Sequence, residues 1–395
     1  MLNDTVKHMP AELHNIAREL GEDLGRVVDA FLTGRPAVLL GLGEPTHGIP
    51  AFTSLRNELL VHLVARGFRS VALETDIFAA SIVDDYVAGG TAGLDEVLSA
   101  GFSHGFGAVP GNRELLEWLR GHNAACAPED RVRFHGFDAP VEYSGAPSPG
   151  PSLKFVLEAL APEEVLPPHI GDLDELLGDD ADWTDPNAMY DAAASIGGSK
   201  RAQVLGSIAE GLAAAAPLDA PWEVSAHARA AQGLLRYHAA MASTAPDRIG
   251  QLLGIRAEMM ADNLRDIVTR ERGRGPTLVF AHNSHLRRGD SALPGEASWA
   301  AAGALVAHDL GDEYVFIATD ANPSAPVGTL QAMLGDATDR RALFPADALR
   351  SALPESVTAG TPIAPGHLPL SPADLSGTDA IVFIADTDGH RHQYW

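Results

Sequence analysis

The sequence predicts an α/β protein: a mostly parallel central sheet flanked by helices, with a helical insertion. Short apolar runs recur along the chain, as strands buried on both faces require. Helical periods separate these runs, the order of repeated β-α-β units. Between residues 150 and 273 the strand signals give way to alanine-rich helical periods. The expected organisation is one domain over residues 1–395, with 150–273 inserted within it and packed over the active edge.

Ala11–Leu32 carries Leu13, Ile16, Leu20, Leu24, Val27, Val28 and Phe31 at helical spacing, and Gly34 and Pro36 end it. Ala37–His47, AVLLGLGEPTH, is an apolar run that breaks into Glu44 and His47, with Gly41, Gly43, Pro45 and Gly48 interrupting it. A buried strand is expected here, with Glu44 and His47 on the loop beyond its carboxyl end, where open α/β sheets bind ligands. Ala51–Arg66 reads as a helix holding Arg56, and Ser70–Glu74, SVALE, as a second strand ending in a carboxylate. A right-handed β-α-β crossover brings both strand ends to one edge, so Glu74 is expected to face His47.

Further on, Ile77–Tyr86 and Leu94–Ser99 read as helices. Gly101–Asn112, GFSHGFGAVPGN, reads as an aromatic loop over one face of the sheet, and Arg113–Asn123 as a helix. Val132–Asp138 is a third strand, ending in His135 and Asp138, and Gly145–Ser152 a linker. Helical periods follow near Pro186–Ala216, Trp222–Ala245 and Arg248–Arg272. His227 and His238 are spaced to share a helix face, though packed histidines are the commoner case. The sheet resumes at Thr277–His285, TLVFAHNSH. A helix at Ser298–Leu310, a strand at Tyr314–Thr319, a loop at Ala321–Gly328 and a final strand at Ala380–Asp386 complete the chain.

A net charge of −25 argues against nucleic acid and anionic membrane as partners, since both need a basic surface. Cys126 is the only cysteine, which removes intrachain disulfides and multi-cysteine metal sites. The polar, amphipathic opening residues lack the design of a secretory leader. No apolar run approaches the roughly 20 residues that span a bilayer. A cytoplasmic protein acting on a small molecule is expected, its oligomeric state left open.

Strands thus end repeatedly in ionisable groups: Glu44 with His47, Glu74, His135 with Asp138, and His282 with His285. Some of these can be helix caps, a reading that suits Thr46 and Asp138 better than His47. An imidazole held by a carboxylate is a competent base near neutral pH, two imidazoles can divide proton removal and donation, and an arginine can stabilise developing oxyanion charge. Metal ligation by His47, His282, His285, Glu44 and Glu74 is weighed below metal-free chemistry, because no HExxH or cysteine set occurs and alternate strand faces separate His282 from His285. The chain has no G-x-S-x-G elbow, phosphate loop or dinucleotide fingerprint, so neither a serine nucleophile nor a cofactor is expected.

GEPTHG after an apolar strand, Arg56 in FTSLRNELL, the GF…VALE strand, WLRGHN, FHGFD and AHNSH together resemble the erythromycin esterase family, in the family's order from about Leu39 to the last strand. The resemblance implies a mixed α/β core and metal-independent hydrolysis of an ester, in known members the macrolide lactone. It implies His47 as general base, Glu44 and Glu74 as orienting carboxylates, His285 as second imidazole and Arg56 as anchor or oxyanion stabiliser. His282 and Asn283 match the last motif. They are expected at the substrate with His104 and Phe106 of the aromatic loop. Pro45 stands where alanine is common in the family and stiffens the loop.

The leading expectation is an ester or lactone hydrolase for a bulky natural product. A biosynthetic tailoring enzyme using the same histidines for elimination, cyclisation or acyl transfer is the alternative, and a non-catalytic binding protein a third.

Overall fold

The computed structural model describes residues 12–142, 145–160, 173–217, 219–292 and 298–387. The opening residues 1–11, including the expected helix start at Ala11, lie outside these. The chain divides into two compact units. One comprises Met1–Phe137, Leu264–Ser291 and Ala300–Trp395, the other Asp138–Asn263 and Ala292–Trp299.

The first unit is built on an eight-stranded sheet: β1 (Arg18–Glu19), β2 (Leu39–Glu44), β3 (Ser70–Asp76), β4 (Arg133–Asp138), β5 (Thr277–His282), β6 (Tyr314–Ala321), β7 (Arg341–Pro345) and β8 (Ala380–Ile384). Its order is β1-β7-β8-β6-β2-β5-β3-β4. β8, β6, β2, β5 and β3 run parallel, and β7 pairs antiparallel with β8 and β1. This is the mostly parallel α/β sheet that the apolar runs predict. Every residue of β2, β5, β6 and β8 is buried, which is why these strands read as unbroken apolar blocks.

Helix α1 (Leu24–Leu32) precedes β2, and α2 (Pro50–Ala65) connects β2 to β3. Phe52, Leu55, Leu59, Leu60 and Leu63 of α2 are buried in one core with Leu40, Leu42, Val71, Leu278 and Ile317 of the sheet. Burying such side chains supplies roughly 1.5–3 kcal/mol each, and this anchors α2 to the sheet. Then come α3 (Ala80–Ala88), α4 (Leu94–Ala100) and α5 (Asn112–Ala124). β5, which sits between β2 and β3, arrives from much later in the chain, so the first β-α-β unit is split by an inserted strand.

The expected single helix over 11–32 is broken. Residues 12–16 are helical, Arg18–Glu19 pair with β7, and the Leu20 N–H bonds the Arg341 carbonyl before α1 begins. Leu13, Leu20 and Leu24 are all buried, so their helical spacing reflects burial on two elements rather than one.

The second unit is helical, with Gly150–Leu160, Lys200–Ala215 and Trp222–Met241 packed around Leu153, Leu157, Trp183, Leu205, Ile208 and Leu235. The stretch 186–198 is three short 3-10 turns rather than the start of a long helix. Asp185, Asp191 and Ser195 each accept a backbone N–H two residues on, which favours turns over helix. Among the described residues no helix is long and apolar enough to cross a membrane.

Candidate active site

Three adjacent parallel strands end together at one edge of the sheet. In register, Glu44 of β2 lies beside His282 of β5, and Leu73 of β3 beside Phe280, which places Glu74 next along the same edge. From Glu44 the chain turns back through Pro45 and Thr46, and His47 Nδ1 lies 2.8 Å from Glu44 Oε1. That carboxylate accepts the Nδ1 hydrogen, leaving Nε2 as the basic nitrogen. His47 Nε2 lies 3.9 Å from Glu74 Oε1. The same oxygen is 3.2 Å from His285 Nε2, while Glu74 Oε2 accepts the His282 backbone N–H at 2.8 Å. Two imidazoles thus flank one carboxylate oxygen, and all four side chains are buried or nearly so.

His285 reaches Glu74 because the strand stops at His282. Asn283–Leu286 form a single helical turn whose first free N–H, on Ser284, is accepted by His282 Nδ1 at 3.1 Å. The alternate-face separation expected of a continuing strand therefore does not arise. His282 Nε2 donates to the Pro45 carbonyl at 2.9 Å, so both ring nitrogens of His282 serve the backbone. Burial, with repulsion from His47 and His285, lowers its pKa to about 3. The ring is held neutral as scaffold. The unfolded chain takes up this proton near pH 6.5 and the folded chain only near 3, so its contribution to stability is complete above pH 6.5 and is lost as pH falls through that window. Urea midpoints measured from pH 7 to 4 are expected to fall, with His282 supplying at most one proton, about 1.4 kcal/mol per pH unit. The variant H282Q is expected to show the shallower slope.

Asn283 is likewise occupied away from the reacting groups. Its amide donates to the Thr319 carbonyl at 2.8 Å and accepts the Thr319 N–H at 3.3 Å, tying β5's end to β6. It lies so close to β2 that a Cβ on Gly43 would sit 2.1 Å from Asn283 Oδ1. The glycine before Glu44 is thus required by packing. G43A is expected to destabilise the fold by about 1–3 kcal/mol in urea unfolding and to displace Glu44.

Arg56 lines the wall opposite and is fully buried. It donates to Asn57 Oδ1, to Asn112 Oδ1 at 2.8 Å and to the Gly111 carbonyl at 3.0 Å. Burial lowers its pKa to about 10, so it remains a cation. No ion pair joins it to Glu44; it acts on that carboxylate through space. Burial raises the Glu44 pKa above the ordinary carboxylate range, with the neighbouring Glu74 charge adding to the rise, and the His47 hydrogen bond and Arg56 charge oppose it. Glu44 Oε2 is buried and accepts no hydrogen bond.

Between these groups lies a cavity of about 30 Å³, lined by Glu44, His47, Arg56, Glu74 and Asn112 and by Phe102, Phe106 and Phe280. It is water-sized, far below the several hundred Å³ of a drug-sized pocket. The Phe106 ring centroid is 4.7 Å from that of His47, and His104 stands 5.4 Å from Phe106. The aromatic loop is pinned to the end of β3, where the Ser103 N–H donates to Thr75 Oγ1 at 2.8 Å and Ser103 Oγ accepts the Asp76 N–H at 2.9 Å. Asn112 Nδ2 fastens the Phe106 carbonyl at 2.7 Å, and His104 occupies a left-handed conformation with φ of 56°.

Two sequence candidates stand elsewhere. His135 is interior to β4 and pairs with Glu271 at 3.0 Å. Asp138 caps no helix; it takes Nε and Nη2 of Arg256 at 2.9 and 2.6 Å. Nor does Thr46 cap α2, which begins at Pro50 without a side-chain cap. Asn112 and Ser103 carry no catalytic signature and went unread; their signal was only their place in the aromatic loop. Among the described residues, no group of three or more His, Cys, Asp and Glu is arranged to hold a metal ion.

A histidine oriented by one carboxylate and facing a second carboxylate–histidine pair stands at the carboxyl edge of the parallel sheet of this α/β protein. The chain belongs to the erythromycin esterase family, whose model matches residues 64–359. That stretch contains Glu74, His104, Phe106, His282, Asn283 and His285; Glu44, His47 and Arg56 precede it. No curated protein matches the sequence significantly. Among solved structures, a Bacillus cereus protein is similar at a TM-score of 0.70 and 17% identity, covering 98% of this chain and 97% of its own. A protein described as a succinoglycan biosynthesis protein follows at 0.69 and 16%, covering 96% of each chain. A mutant of the erythromycin esterase EreC, in its open conformation, is similar at 0.67 and 19%, covering 96% and 98%. At these identities the likeness is one of fold.

Proposed function

We propose that this protein is a hydrolase that opens an ester or lactone of a bulky natural product, macrolides among them, by direct attack of a histidine-activated water. Membership of the erythromycin esterase family supports a hydrolase. The observation that carries the reaction is the placement of His47: Nδ1 is fixed by Glu44, and Nε2 faces Glu74 across 3.9 Å. A water in that gap gives its proton to His47 Nε2 as its oxygen attacks the carbonyl carbon. The positive field of Arg56 favours the oxyanion, and the carbon–oxygen bond breaks as His285, entering as the imidazolium against Glu74, gives its proton to the leaving oxygen; His47 then releases its proton to solvent and His285 takes one up. The narrow cavity is of a size to hold a water, so the ester group meets it at the mouth and the bulk of the substrate lies outside.

Incubation with erythromycin is expected to give a product heavier by one water; intact drug after prolonged exposure counts against macrolides as substrate. Because no group of three or more His, Cys, Asp and Glu among the described residues is arranged to hold a metal ion, the reaction is expected to survive treatment with a chelator. Loss of activity restored by zinc would contradict this. The succinoglycan biosynthesis protein of like fold keeps a tailoring reaction as the second reading, to be recognised by a product of unchanged mass.

A further inference from the structure

Outside the reacting groups, β6 ends in a buried carboxylate that the hydrolytic scheme does not use. Asp320 is almost wholly buried and accepts four N–H donors. His367 Nε2 at 3.0 Å and the Ala321 N–H at 2.8 Å reach Oδ1. Gln331 Nε2 at 2.7 Å and the Leu370 N–H at 2.9 Å reach Oδ2. Four donors fill the lone pairs of a carboxylate, which is how a buried charge is retained without a cation. His367 is buried too, and its Nδ1 accepts the Ile363 N–H at 3.0 Å, so its ring is the Nε2–H tautomer.

What this network holds is an irregular strap, residues 360–371, that crosses the catalytic loop. Its bend is Ala364-Pro365-Gly366-His367, closed by the His367 N–H to the Ala364 carbonyl at 3.1 Å, with Gly366 at φ of 77°. Proline then glycine at the two central positions is the composition of a type II turn. On its far side the Leu368 N–H donates to the Pro45 carbonyl at 3.0 Å, and Thr46 Oγ1 reaches the Pro365 carbonyl at 3.5 Å. The Pro45 carbonyl is the same oxygen that takes His282 Nε2–H. Its two lone pairs are therefore divided between the strap and the site, one peptide away from Glu44 and two from His47.

We propose that Asp320 and His367 are positioning residues of the hydrolytic site: through the Ala364–His367 turn they fix the Pro45 carbonyl, and with it His282 and the approach of His47 to Glu74. The catalytic consequence rests on the hydrolase reading above, whereas the structural link does not. Hydrogen-bond geometry in acid–base sites is exacting, and a displacement of about 1 Å far from the chemistry can lower turnover on the order of 100-fold.

The test uses the full chain with nitrogen-15 labelled histidine, in wild type and in H367L, H367Q and G366A. H367L removes the donor to Asp320, and H367Q restores one. G366A strains the turn at an exposed position where a Cβ meets only Thr46 Oγ1 at 3.7 Å, so it reads the link even if H367L fails to fold. In H367L and G366A the His282 Nε2–H resonance is expected to shift and exchange faster with water, with wild-type behaviour in H367Q. If erythromycin is a substrate, kcat falls about 10- to 100-fold in H367L and G366A with KM little changed, and H367Q recovers most of it. Folded G366A with an unaltered His282 resonance would overturn the link, whatever the substrate proves to be. A shifted resonance with unchanged kcat would overturn its catalytic role.

Discussion

Replacing His47 with alanine is expected to lower kcat/KM by about a thousandfold while leaving the folded structure intact. Removing a general base typically forfeits a factor of 10² to 10⁴, and of the neighbouring groups only Glu74 Oε1 faces the same gap. Glu44 faces Nδ1 of the missing ring, the nitrogens of His282 are bound to backbone, and His285 is engaged by Glu74. His47 is largely buried but in no strand or helix, so truncation opens space at the mouth of an existing cavity rather than in the core. Kinetics on macrolide opening, with a cooperative unfolding transition as control, check both parts. Beside protonation of the base His47, the acid limb of the wild-type profile should carry a contribution from Glu44, whose raised pKa means that its ionised form is lost at a higher pH than an ordinary carboxylate's.

The second large effect is expected at Glu74. This carboxylate does three things at once: Oε2 holds the His282 N–H, Oε1 bonds His285, and Oε1 also faces His47 Nε2. E74Q keeps the size but puts an amide nitrogen against either the His282 donor or the two imidazoles. A loss of about 10²- to 10³-fold in kcat is expected, together with destabilisation, because a buried donor left without an acceptor costs about 1–3 kcal/mol. The double variant H47A/E74Q should lose far less than the product of the single losses, since the two groups act on one water. Multiplicative losses would show that they act independently.

The parallel sheet and the convergence of Glu44, His47, Glu74 and His285 were legible in the sequence because each strand is an unbroken apolar run ending in a charge. Periodicity could not reveal β1 or β7, whose antiparallel pairing is set by distant backbone partners. The 3-10 turns over 186–198 were also missed, because alanine-rich composition masks the Asp and Ser side chains that bond their own backbone. Within the site, AHNSH was legible as a motif but not in its division of labour. Only the turn at Asn283 shows that His282 and Asn283 serve the backbone while His285 is delivered to Glu74. Asp320 and His367, far apart in the chain and within no motif, left no trace until the strap was in place.

The most direct test of direct water attack is a single turnover of erythromycin in oxygen-18-labelled water, followed by mass analysis of both product and protein. The mechanism requires the label in the carboxyl group of the opened product and none in the protein. Label found in Glu44 or Glu74, with an unlabelled product, would mean that a carboxylate attacked the ester and an acyl-enzyme was hydrolysed afterwards, which would contradict direct water attack.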